Sequence, residues 1–191
     1  MNRRKVLKNI GTGIGAFTIT PTIIGLFQSC QTNISHTPVF VSKEDFEVLS
    51  DLMELIIPHT DIPGAKELKL PEFIDAYVDA VWSSENKVRF SKGWAEFKKQ
   101  ALQASVKENI SQLTTDDLDA QLAKYLRSQN IPSDKDKQAT EFAKELRNLT
   151  VNAFRTNEFI GENVLAYTPV PGDYKGCVDL METTGGKAWS L

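Results

Sequence analysis

From Phe46 to Ala153 the apolar residues return every three or four positions, a period that one face of an α-helix satisfies and a strand does not. Phe46, Leu49, Leu52, Met53 and Ile56 make the first such stripe. Ser42 stands as its N-cap, with Asp45 in the capping-box place in lieu of Glu. The helix must end near Ile57, because Pro58 disfavours helical geometry at the residue before it. Pro58 to Ala65 reads as a loop from its Pro and Gly content. A second helix begins around Pro71, with Phe73, Ile74, Tyr77, Val78 and Val81 as its apolar face. A third runs from about Asn86 to Asn109, striped by Phe90, Trp94, Phe97, Ala101 and Ala104. Thr115 caps a fourth, with Asp116 and Asp117 at its positive end and Leu118, Leu122 and Tyr125 or Leu126 facing inward. Asn130 to Asp134 is a turn, and a fifth helix from about Lys135 carries Phe142, Leu146, Leu149 and Ala153. Residues 157–165 have the length of one more short helix. From Ala166 to Leu191 prolines and glycines interrupt the chain and no helical period remains. The expected fold is all-α: an irregular helical bundle of about five to six helices over residues 42–165, with an extended, non-helical C-terminal arm over 166–191. The spacing does not set the topology.

Residues 1–30 read as a leader and 31–41 as a polar spacer. A basic start, an apolar middle and a small residue ahead of a processing point are the parts of an export signal. Arg3-Arg4 followed by Val6-Leu7-Lys8 is similar to a twin-arginine (Tat) leader, with Asn2 where Ser is usual and Val6 where Phe is usual. The run Ile10–Phe27 is diluted by glycines and threonines, as in such leaders. Two alternatives stay open. A membrane-spanning helix wants about 20 predominantly apolar residues, and this run, with Pro21 inside it, falls short. Leu26-Phe27-Gln28-Ser29-Cys30 resembles a loose lipobox, which would make Cys30 a lipidation site and tether the chain to a membrane. Tat cargo crosses the membrane folded, often with a cofactor already bound, so the question becomes which cofactor this chain could hold.

The residues offer none. The chain has 191 residues, so about 150 remain beyond leader and spacer, the size of one domain. Its formal net charge of −3 and lack of a basic patch outside the leader argue against a nucleic-acid partner. The two cysteines, Cys30 and Cys177, form no metal-type spacing; an oxidising compartment would permit a disulfide between them without implying one. Gly11, Gly13 and Gly15 lie in the leader and open no nucleotide-binding turn after a strand.

Each remaining candidate has a bland reading beside the sharp one. His59 and Asp61 could form an acid–base pair or half a metal site, but the one other histidine is His36, in the spacer. The bland reading is a loop in which Asp61 or Thr60 bonds nearby backbone amides between Pro58 and Pro63. Cys177 is a reactive thiol on the sharp reading and a buried small residue on the bland one. Asp116, Asp117 and Asp119 read as helix-end charge, since the Gly and final Glu of a calcium loop are missing. Tyr167, Tyr174 and Trp189 sit in the irregular arm, where aromatic side chains need a surface to pack on, either the helices or a partner.

Two stretches carry a resemblance. Leu55 to Ala65 (LIIPHTDIPGA), followed by Phe73-Ile74-Asp75, resembles the front motif of the gluconate 2-dehydrogenase subunit 3 family. The back end agrees: Gly161 to Tyr167 (GENVLAY), Pro169 to Cys177 (PVPGDYKGC) and Gly185-Gly186-Lys187-Ala188-Trp189. The middle, about Ser83 to Thr150, matches only as helices. The resemblance implies a small subunit with no catalytic, cofactor or metal site of its own. Its partner would be a large FAD-dependent dehydrogenase of the glucose–methanol–choline type, acting on a sugar or sugar acid. The small subunit would escort that partner through the Tat translocase, aid its maturation and stay bound, and a cytochrome c subunit would take the electrons. It also implies the periplasmic side of the bacterial inner membrane. Arg3, Arg4, Leu7 and Lys8 are then the export signal. The docking candidates are Pro58, His59, Asp61, Pro63, Tyr167, Pro169, Pro171, Tyr174, Cys177 and Trp189. The alternative, from another class, is a stand-alone periplasmic lipoprotein that serves as a binding or structural module.

Overall fold

A computed structural model describes residues 36–127, 134–167, 172 and 176–190. Five helices of 12 to 22 residues carry the fold: α1 (Lys43–Ile56), α2 (Leu70–Val81), α3 (Ser84–Ser105), α4 (Thr115–Arg127) and α5 (Asp134–Arg155). A 3₁₀ turn (Ile110–Gln112) joins α3 to α4, a π-helical turn (Ile160–Val164) follows α5, and α6 (Leu180–Thr184) lies in the arm. Thr37–Leu191 forms one unit; Met1–His36 is assigned to another, of which only His36 is described.

Helix α5 is the hub and touches each of α1 to α4. Its longest contact is with α3, where Gly93 removes the side chain that would separate them: a Cβ there would lie 2.8 Å from Phe142 Cβ and 2.9 Å from the Gln138 carbonyl. That approach lets the rings of Phe90, Trp94 and Phe97 close on Phe142 at centroid distances of 4.9, 5.3 and 5.3 Å. Tyr125 brings α4 into the same cluster, 5.8 Å from Phe97. Tilted and edge-on ring pairs of this kind add about 0.5–1.5 kcal/mol each beyond their buried area. Leu52, Leu70, Leu118 and Leu146 complete the core with essentially no exposure.

The expected stripes on α1, α4 and α5 point inward; on α3 Ala104 faces solvent and Gly93 takes the contact. Two boundaries differ from expectation. Helix α3 stops at Ser105 because Val106 turns left-handed (φ 54°), and Asn109 then opens the 3₁₀ turn in a reciprocal capping box with Gln112. The cap of α4 is Thr114 rather than Thr115: its hydroxyl accepts from the Asp117 amide, while Asp117 accepts from the Thr114 amide and hydroxyl. Residues 128–133, most of the expected turn before α5, lie outside the described residues. The arm is not wholly without helix, since Asp179 caps α6 and left-handed Gly185 closes it.

Candidate partner-docking surface

Helix α2 is apolar on two sides. Ile74 and Val78 are buried against the bundle, but Phe73, Tyr77 and Val81, expected to face inward with them, are 54%, 38% and 60% exposed. Ala76 and Ala80 are exposed between them. The bundle covers only the Ile74–Val78 edge of this apolar sector, so the adjoining edge meets solvent. Phe73 and Tyr77 stack on each other at 5.9 Å. Their partial cover leaves a stripe at positions i, i+3, i+4, i+7 and i+8, the spacing with which one helix receives another.

The loop between α1 and α2 is shaped by a residue that sequence reasoning passed over. The Glu54 carboxylate, in the last turn of α1, accepts the backbone amides of His59 at 3.0 Å and Lys66 at 2.9 Å. The expected local bond is present too: between the two prolines Thr60 Oγ1 accepts the Ile62 amide at 3.4 Å and donates to Asp61 Oδ1 at 3.1 Å. His59 Nδ1 lies 2.9 Å from Glu67 Oε2 at the surface, and Lys66 pairs with Asp51. His59 and Asp61 therefore face different partners and form no acid–base pair. Pro58, His59 and Asp61 are exposed and Pro63 is half-buried, so the loop presents its tip outward.

A second missed carboxylate is Asp75. It is buried on α2 and accepts the successive amides of Val39, Phe40 and Val41 at 2.7, 3.1 and 3.4 Å. Three consecutive N–H groups closing on one anion make a nest. The end of the segment read as spacer is thereby bonded to the body. A visible signal was present: one carboxylate between Ile74 and Val78, within the buried register of an apolar helix.

The C-terminal arm returns to its own base. The Ala166 amide donates to the Ala188 carbonyl at 2.8 Å and the Ser190 amide to the Ala166 carbonyl at 2.9 Å, a parallel bridge between Ala166 and Trp189. Lys187 Nζ donates to the Asn163 carbonyl of the π-helical turn. The neck of the arm is thus self-packed, and Tyr167 and Trp189 stand at that neck, 52% and 47% exposed. Val178, Leu180 and Met181 of the α6 region are also exposed. Cys177 is exposed, against the bland reading of a buried thiol. Pro169, Pro171 and Tyr174 lie outside the described residues, as do Arg3, Arg4, Leu7, Lys8 and Cys30.

A groove of about 480 Å³ between α3 and α5 is rimmed by Arg89, Lys92 and Lys144 against Glu141 and Glu145, so it offers no field of one sign. Among the described residues no cluster of three or more His, Cys, Asp or Glu is placed to hold a metal ion, and no helix is long and apolar enough to cross a membrane.

The features together describe a small helical body with apolar side chains presented outward from α2 and from its arm. The family model described as gluconate 2-dehydrogenase subunit 3 matches residues 43–172, more than half of the chain. The chain belongs to the gluconate 2-dehydrogenase subunit 3 family. The match takes in the Pro58–Pro63 loop, Asp75 and the start of the arm through Gly172, and it also spans the middle helices, which the end motifs had not covered. No curated protein and no solved structure matched the chain.

Proposed function

We propose that this chain is the small accessory subunit of an FAD-dependent sugar or sugar-acid dehydrogenase, that it escorts the large subunit through the Tat translocase, and that it stays bound on the periplasmic side of the inner membrane. The observation that carries the reading is the outward apolar stripe Phe73, Tyr77 and Val81 on a chain of a dehydrogenase-subunit family. An isolated apolar side chain on a surface needs no explanation, whereas a helix with a second apolar face is built to be covered. Tyr167 and Trp189 are exposed as well, and aromatic anchors dominate protein interfaces energetically.

On this reading the flavin and the redox chemistry belong to the large subunit, with electrons leaving to a cytochrome c. Export depends on Arg3 and Arg4, and Cys30 supplies a lipid tether. The test is an affinity pull-down of the tagged full chain from its native membrane fraction, with mass spectrometry and a flavin spectrum of the eluate. Stoichiometric co-elution of a flavoprotein is expected. A colourless, partnerless chain would overturn the reading in favour of a stand-alone lipoprotein. Replacing Arg3 and Arg4 by lysine should strand both proteins in the cytoplasm, and a large subunit that is exported and active regardless would rule out the escort role.

A further inference from the structure

We infer that Val39–Val41 and the Asp75 carboxylate form a latch: a strap that opens by itself while the helices stay folded, and that uncovers an apolar pocket when it does. The strap has no regular structure, and its three amides converge on one carboxylate. Its inward side is Phe40, 6.0 Å from the Phe90 ring, while Val39 is 61% exposed. Phe40 and Val41 close a cavity of about 20 Å³ whose other walls include Leu49 and Met53 of α1, Ile74 and Val78 of α2, and Phe90 of α3, so lifting them would open it into an apolar pocket.

Opening has a natural stopping point. Immediately after the strap, Ser42 caps α1, and Asp45 is bonded to Lys98 of α3 at 2.6 Å. The start of α1 is therefore held by contacts the strap does not share. Lifting the strap exchanges amide–carboxylate bonds for bonds to water and exposes the Phe40 and Val41 side chains with the small apolar patch beneath them. Loosening α1 or α2 would expose a whole core face. Local openings whose cost lies well below that of global unfolding arise from this difference.

The test is native-state hydrogen exchange on the full chain across sub-denaturing urea, with binding of an apolar fluorescent dye. The amides of Val39–Val41 should exchange through an opening insensitive to urea, at least about tenfold faster than those of Leu52 and Ile74. Asp75→Asn should speed the strap amides by on the order of tenfold, leave the α1 and α2 core amides unchanged, and raise dye binding. Phe40→Ala, which keeps the catch, should raise dye binding with a smaller effect on exchange. Strap amides that exchange in step with the helices in the unmodified chain would overturn the latch, a result that needs no variant to fold. Unchanged strap exchange in folded Asp75→Asn would overturn Asp75 as the catch, and unchanged dye binding in both variants would overturn the pocket.

Discussion

Glu54 shows how much one side chain can decide in a loop. Its carboxylate ties the amides of His59 and Lys66 to the end of α1, and Gly64 makes room for it. A Cβ at Gly64 would collide with Glu54 Oε1 and come within 2.6 Å of the His59 amide nitrogen. Gly64→Ala should cost about 1–3 kcal/mol, read as a lowered urea midpoint with an unchanged slope. Val106 presents the reverse case. It is a β-branched residue in the left-handed region, 92% exposed, at the C-terminal cap of α3. The strain of about 1–2 kcal/mol per residue has no packing to offset it. Val106→Gly should therefore stabilise the chain by about 1 kcal/mol, and no gain in melting temperature would count against the strain. Asp117 is a pH-dependent cap. Hydrogen bonds from Lys107 and from the Thr114 side chain and amide hold its carboxyl down at about 2. Because the folded value lies below the unfolded one, its contribution is complete above the ordinary carboxylate range and is lost as pH falls toward 2. Asp117→Asn should flatten the part of the melting-temperature profile below pH 4 that this group supplies.

At the level of elements, the α3–α5 pair is the most extensive joint and α2 the most divided helix. Gly93→Ala would force α3 away from Phe142 and Gln138, and an expected loss of about 1–3 kcal/mol should appear together with altered near-ultraviolet dichroism from the Trp94 cluster. The Phe90–Trp94–Phe97 stripe was legible in the sequence because a helix of this length has to bury its one aromatic face. The face of α2 was legible only as apolar. Periodicity identifies Phe73, Ile74, Tyr77, Val78 and Val81 as one wide sector; it cannot tell which edge of that sector a neighbour covers. The arm escaped the same method for a different reason: α6 is one short turn held by the Asp179 cap and Gly185, too brief to show a period.

For the whole molecule, the outward stripe on α2 and the family membership bear on one question, what covers the chain in its working state. Replacing Phe73 and Tyr77 together by serine should leave the chain folded, with a loss of stability of about 1 kcal/mol from the broken ring pair. The same change should abolish recovery of the large subunit in the pull-down, and undiminished recovery would move the interface off α2. The helical class, the approximate span of each long helix, the Ser42 cap that begins α1, the inward stripe of α5 and the family were all readable along the chain. Those follow from local chemistry: spacing, proline stops and capping side chains act over a few residues. It took the packed fold to show that Asp75 receives the amides of Val39–Val41, some 35 residues earlier in the chain, that Glu54 ties down the amides of His59 and Lys66, and that Phe73, Tyr77 and Val81 of α2 stay outside. Each of these depends on which segments meet in space, and that is set by how five helices share one core, which no single segment specifies.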